Sequence, residues 1–97
     1  MIKHIVMWKL KDEINKLEAG NEIKRRLEAL KGIINEIIEI EVGINFDPSV
    51  MAYDVVLVSS FETIDDLNIY QKHPDHVAVG SYINSVKQER IVVDYQV

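Results

Sequence analysis

The sequence predicts an α+β domain built on a single antiparallel sheet with its helices on one side, and three observations carry that prediction. Apolar residues recur at every second position in four stretches of the 97-residue chain. In the segments after the first and third of these stretches they recur at every third or fourth position, so the element order is βαββαβ. The first and third strands are apolar on both faces, so the sheet they form needs a cover on each side.

Residues 2 to 10 alternate as a strand, with Ile2, His4, Val6, Trp8 and Leu10 on one face and Lys3, Ile5, Met7 and Lys9 on the other. From residue 12 to about 31, Ile14, Leu17, Ile23, Leu27 and Leu30 follow helical spacing, with Lys and Glu filling the opposite side. Gly20 weakens the middle of that helix, and Gly32 is placed to end it in the left-handed conformation that glycine accepts. A second strand is expected over residues 37 to 46, where Ile38, Ile40, Val42, Ile44 and Phe46 share a face before Asp47-Pro48-Ser49 turns the chain. A third runs over residues 53 to 61 through Val55, Val56, Leu57 and Val58.

Thr63 followed three residues later by Asp66 reads as a capped helix start, with Ile64, Leu67 and Tyr70 as the inner stripe. Pro74 pushes the residue before it away from helical angles, so a break is expected at His73. A further helix over residues 74 to 86 follows, its stripe formed by Val79, Ile83 and Val86. Residues 89 to 97 alternate again, Ile91, Val93, Tyr95 and Val97 against Arg90, Val92, Asp94 and Gln96.

With crossovers only through the helical segments, this order gives the ferredoxin-like arrangement, both helical layers lying on one face of the sheet. Ile5, Met7, Val56 and Val58 are left on the other face, an apolar patch larger than soluble monomers ordinarily expose. The expectation is a homodimer formed by two sheets packing through their open faces. No repeat, low-complexity stretch or Pro/Gly/Ser-rich linker divides the sequence, so residues 1 to 97 read as one domain.

Sixteen acidic against eleven basic residues give a net charge of −5, the wrong sign for a nucleic-acid surface. The absence of cysteine excludes disulfides, thiol catalysis and thiolate-bound zinc. No apolar run reaches membrane-spanning length and the start carries no secretion-signal pattern, so neither a membrane nor export is expected and the default location is cytoplasmic. Lys24-Arg25-Arg26, flanked by Glu22 and Glu28, reads as ordinary pairing along a helix rather than a binding patch. The Glu36, Glu39 and Glu41 run reads as a solvated strand edge. Trp8 belongs to the core or a pocket wall.

Four segments together resemble the stress-responsive A/B barrel family, called Dabb, of the dimeric α+β barrel superfamily. They are His4-Ile5-Val6-Met7-Trp8-Lys9-Leu10-Lys11, Tyr53-Asp54-Val55-Val56-Leu57 ending at Phe61-Glu62-Thr63, Tyr70-Gln71-Lys72-His73-Pro74-Asp75-His76-Val77, and Ile91-Val92-Val93-Asp94-Tyr95. The His-Pro-x-His segment combined with a strand-one histidine is the most specific part. The resemblance spans nearly the whole chain and implies the same fold and a homodimer. It also implies no cofactor: some plant relatives are polyketide cyclases that close a ring by intramolecular aldol condensation, using a tyrosine and a histidine as the acid/base pair. The matching positions are Tyr70 and His76, with His4 as a pocket histidine. The plant cyclases line their pocket with aromatic residues on the first helix, where this chain has Ile23, Lys24 and Leu27.

The expected function is therefore binding of a small, largely apolar molecule, aromatic or carbonyl-bearing, in a pocket between sheet and helices lined by His4, Val6, Trp8, Tyr70, His73 and His76. One alternative is a cofactor-independent enzyme of the aldol type. In it His76 takes an acidic proton and Tyr70 donates a hydrogen bond to the oxyanion. A purely structural, stress-protective dimer is another, and cofactor-free monooxygenases share the superfamily fold but usually lack the His-Pro-x-His segment. The bland reading of these residues is that His76 caps the helix after Pro74 and Tyr70 packs its ring with its hydroxyl hydrogen-bonded. His4, His73 and His76 make a poor metal set, because the proline break spoils any shared face and no acidic ligand is forced into place.

Overall fold

A computed structural model describes residues 1–97. The strands are β1 (Ile2–Leu10), β2 (Glu39–Ile44), β3 (Val55–Phe61) and β4 (Lys87–Gln96), and the helices are α1 (Lys16–Ala29), α2 (Ile64–Lys72) and α3 (Pro74–Val86). They form one four-stranded sheet in the order β2-β3-β1-β4, with every neighbouring pair antiparallel. This is the ferredoxin-like fold that the pattern predicts.

Register fixes which side chains share a face. Ile2, Val6, Trp8 and Leu10 of β1, Val55, Leu57 and Phe61 of β3, and Val42 of β2 are buried beneath the helices. They meet Ile23 and Leu27 of α1, Leu67 and Tyr70 of α2 and Val79 and Ile83 of α3 in one core. Gly20 belongs to this contact: a Cβ there would come within 3.2 Å of Ile44 Cδ1, so glycine lets α1 approach β2 closely. On the other face lie Ile5, Met7, Val56, Val58, Ile91, Val93 and Tyr95, all partly or largely exposed.

Several element boundaries differ from the sequence expectation, and those of α1 and β2 move inward where local hydrogen bonding competes. α1 starts at Lys16 rather than residue 12, because Asn15 in extended conformation accepts the Glu18 N–H through its side chain and so caps the helix there. That shift turns Leu17 outward, 65% exposed. The helix tightens into a 3₁₀ turn at Leu30–Gly32, and Gly32 has no left-handed backbone, so its expected role as a left-handed terminator is not used. β2 ends at Ile44, since Asn45 accepts the Asp47 N–H and starts the turn early, leaving Phe46 outside the strand and almost fully exposed. β3 begins at Val55 rather than residue 53, and Ile64 in the first turn of α2 faces solvent. β4 begins two residues earlier than expected, at Lys87.

The break before Pro74 forms as predicted. His73 has extended angles, φ −61° and ψ 134°, and both closes α2 and caps α3, its Nδ1 accepting the Asp75 N–H at 3.1 Å. Thr63 caps α2 by accepting the Asp66 N–H. The basic cluster on α1 is paired, Arg25 and Arg26 with Glu22 and Lys24 with Glu28. No helix is long and apolar enough to cross a membrane.

Candidate functional site

The helix-facing alternation of β1 puts His4 inward, and the antiparallel register with β4 sets Asp94 directly opposite it. The His4 Nδ1–H donates to Asp94 Oδ1 at 2.5 Å, a charge-assisted bond that fixes the ring and leaves Nε2 as its free nitrogen. His4 itself is buried.

Tyr70 arrives from the last full turn of α2 and is completely buried. Its ring centroid lies 6.2 Å from His4, 5.0 Å from Phe61 and 4.4 Å from His76. Such aromatic neighbours hold the ring by packing alone, each pair contributing about 1 kcal/mol beyond the area it buries. The hydroxyl has no such support: Tyr70 Oη is the only buried side-chain polar atom in the chain without a hydrogen-bond partner. Burial pushes the phenol well above the ordinary tyrosine range, against a smaller opposite pull from Arg90, so it stays protonated and is a hydrogen-bond donor at any physiological pH.

His76 reaches the cluster because of the proline break. The turn at His73-Pro74 folds the first turn of α3 back on the end of α2, where His76 Nδ1–H donates to the Gln71 carbonyl at 3.1 Å. A carbonyl only accepts, so the neutral ring carries its proton on Nδ1 and keeps the Nε2 lone pair free. Burial holds this imidazole below the ordinary histidine value; the Gln71 carbonyl works the other way, and the neighbouring His4, Arg90 and His73 add to the lowering. A neutral imidazole at neutral pH is the form that can take a proton.

Of the residues singled out in the sequence, His4, Tyr70 and His76 meet in one cluster. Val6 and Trp8 lie in the adjoining core, and His73 uses its Nδ1 as a helix cap at the edge. No three His, Asp or Glu side chains converge as a metal set would. The cluster opens toward β4, whose helix-facing side the helices leave uncovered: Val92 and the Asp94 side chain are 48% and 42% exposed. The larger cavities lie elsewhere: one of about 610 Å³ against Lys24, Glu28 and Glu39–Glu41 at the β2 edge, one of about 480 Å³ on the open sheet face against Met7, Met51, Val56 and Ile91, and a polar one of about 420 Å³ by Lys16 and Asp54.

Asp94, Gln71 and Arg90 have no assigned role in the sequence reading, although each lies in a segment it marks. Asp94 becomes visible only through strand register, and Gln71 only through the fold-back at Pro74. The alternation of β4 does place Arg90 and Asp94 on one face together, which is the signal that was available.

The fold and the sequence have known relatives. A protein of Bacteroides fragilis described as dimeric, of unknown function and ferredoxin-like in fold superposes with a TM-score of 0.91 at 39% identity, over 99% of this chain and 95% of that one. An uncharacterised protein of Streptomyces coelicolor is 35% identical over 80% of this chain and 81% of its own length. An Arabidopsis thaliana stress-response A/B barrel domain-containing protein, DABB1, is 24% identical over 98% of this chain, which spans 46% of that relative's length. The family model described as the stress responsive A/B barrel domain matches residues 2–97, and the chain, carrying the fold and the His4, Tyr70 and His76 cluster described above, belongs to that family.

Proposed function

We propose that this protein is a homodimer, paired through the open sheet faces, in which each protomer binds a small, largely apolar molecule bearing a carbonyl or hydroxyl oxygen between sheet and helices at the His4, Tyr70 and His76 cluster. The observation that carries the binding reading is the unpartnered Tyr70 hydroxyl. A buried donor without an acceptor costs about 1–3 kcal/mol, and a fold keeps such a group where something outside the chain satisfies it. An oxygen on a bound molecule would do so, with Phe61, whose ring lies 5.0 Å from that of Tyr70, supplying apolar contact beside it. The pairing reading is supported by the row of exposed apolar side chains on β1, β3 and β4 and by the dimeric state described for the Bacteroides relative.

A second reading is favoured by the free lone pair on His76 Nε2. A bound carbonyl compound whose oxygen accepts from Tyr70 Oη would have its α-proton acidified, and His76 would take that proton while Tyr70 holds the developing oxyanion. This is proton abstraction without a cofactor, the first half of an aldol reaction.

The test of binding is a titration of the three histidine ring signals by NMR with small aromatic ketones and phenols, acetophenone and resorcinol first, on the parent protein and on Tyr70→Phe. Saturable movement of the His76 signals in the parent, weakened about tenfold or more by loss of the hydroxyl, supports the reading. Equal response in both proteins, or response at none of the three histidines, overturns it.

A further inference from the structure

Of the three arginines of this chain, Arg25 and Arg26 are ion-paired and Arg90 is not. None of the seven ion pairs uses it, whereas Arg25, Arg26, Lys16 and Lys24 are all engaged. Its position is set by register: Arg90 lies opposite Trp8, Val92 opposite Val6 and Asp94 opposite His4, so all three β4 residues are on the helix-facing side. On α3, Gly80 stands one helical turn beyond His76 and therefore on the same side of the helix. A Cβ at Gly80 would meet no atom within 4 Å although the residue is half-buried, so open space lies beside this part of α3. Val92 and the Asp94 side chain are exposed, so the His4, Tyr70 and His76 cluster is uncovered on the side where Arg90, Val92 and Asp94 stand.

The charges along this side of β4 are not symmetric. Asp94 is held by the His4 Nδ1–H at one end, and Arg90 lies four residues along the same strand, roughly 13 Å away along the backbone. Its positive charge is a minor influence lowering the proton affinity of both Tyr70 and His76, far behind burial in each case. An unpaired guanidinium offers a planar pair of donors that matches a carboxylate better than any neutral group.

We propose that this uncovered side of the cluster selects an anionic ligand, an apolar or aromatic molecule carrying a carboxylate, with Arg90 binding the carboxylate and Tyr70 Oη the ligand's inner oxygen. The proposal rests on the binding reading of the cluster and adds to it a charge requirement and an orientation. Arg90 is a specificity residue in this arrangement. It stands on β4, and the apolar body of the ligand lies over Val92 toward His76.

Matched probes separate charge from shape. 4-Acetylbenzoate, whose ketone oxygen can accept from Tyr70 Oη, is titrated against 4-acetylbenzamide, with the His76 ring signals as the readout, in the parent and in Arg90→Gln and Arg90→Lys. The expected result is carboxylate binding about tenfold tighter than amide in the parent, the size of one partly exposed charge-assisted contact. The preference is abolished by R90Q and partly kept by R90K, and it shrinks as salt is raised. Arg90 is exposed, so both variants are expected to fold, and an unchanged amide spectrum checks this. Equal binding of acid and amide in the parent, or an undiminished preference in R90Q, overturns the charge requirement while leaving the binding reading intact. If no probe moves His76 in any of the proteins, the binding reading fails and this proposal fails with it.

Discussion

The two faces of the sheet solve different problems with nearly the same residue types. On the covered face the chain buries its own apolar side chains under three helices and keeps two histidines and a tyrosine among them, one hydroxyl unsatisfied. On the open face Met7, Ile91, Val93 and Tyr95 stand 38–54% exposed around β1 and β4, with no histidine among them. The covered face keeps a partnerless hydroxyl in its interior at a cost in stability, which is what the proposed binding reading rests on. The open face leaves apolar area in water, which is what the proposed pairing rests on. The pleat of one sheet sets the two apart: shifting a strand by one residue would exchange the two sets of side chains.

The sharpest way to break this contrast is to put a charge on the open face. Val56 lies between Gly43 and Met7 in the register, at the middle of the sheet. Val56→Asp places two carboxylates in a dimer interface, and at a few kcal/mol for each buried charge association weakens by about a thousandfold or more. Light scattering at micromolar concentration should read twice the chain mass for the parent and one chain mass for the variant. A parent that is already monomeric removes the pairing proposal. A variant that stays dimeric moves the interface off this face.

Much of this division was legible in the sequence because period-2 alternation is enforced by sterics. The inward set Ile2, His4, Val6, Trp8 and Leu10 and the outward pair Ile5 and Met7 follow from counting alone, and the proline rule located the turn at His73. Where expectation failed, a side chain made a local bond that pattern does not encode. Asn15 moved the start of α1, and Asn45 removed Phe46 from β2. The site was legible in part for a related reason. His4, Tyr70 and His76 were marked by residue type and by the resemblance, but their meeting depends on how α3 folds back at Pro74. The Asp94 partnership depends on a strand register between residues ninety positions apart.

On the covered face the next largest effect belongs to the Tyr70 hydroxyl. Removing a buried donor that has no partner stabilises the fold, so Tyr70→Phe should raise stability by about 1 kcal/mol, a Tm increase of roughly 4–8 °C for a domain of this size. Gained stability together with weaker ligand binding is the signature of a group kept for function. A lower Tm in the variant would mean that the hydroxyl is satisfied within the folded protein, and the strongest support for a binding site there would be lost.

The smallest effect is a slope with pH, and its sign follows from His76. Burial holds the folded imidazole below its ordinary value of 6.5, so as pH falls the unfolded chain takes up the proton first. Stability from this group is complete above that value and declines as pH drops through it toward the folded pKa, with a slope of at most about 1.4 kcal/mol per pH unit. Thermal melts of the parent and of His76→Gln between pH 8 and pH 5 isolate this share as the difference between two curves. The parent should lose more stability than the variant on acidification, and parallel curves would mean that His76 is as solvated in the folded protein as in the unfolded one. Because the open face carries no histidine, a difference appearing near pH 6.5 can be assigned to the covered side of the sheet. The folded imidazole keeps its neutral form, and the free nitrogen that the proton-abstraction reading requires, until the lower folded pKa, where the stability loss from this group ends. Loss of turnover on acidification should therefore begin at lower pH than loss of stability if that reading holds, and a rate profile with no fall below pH 6.5 would leave binding as the function of the cluster.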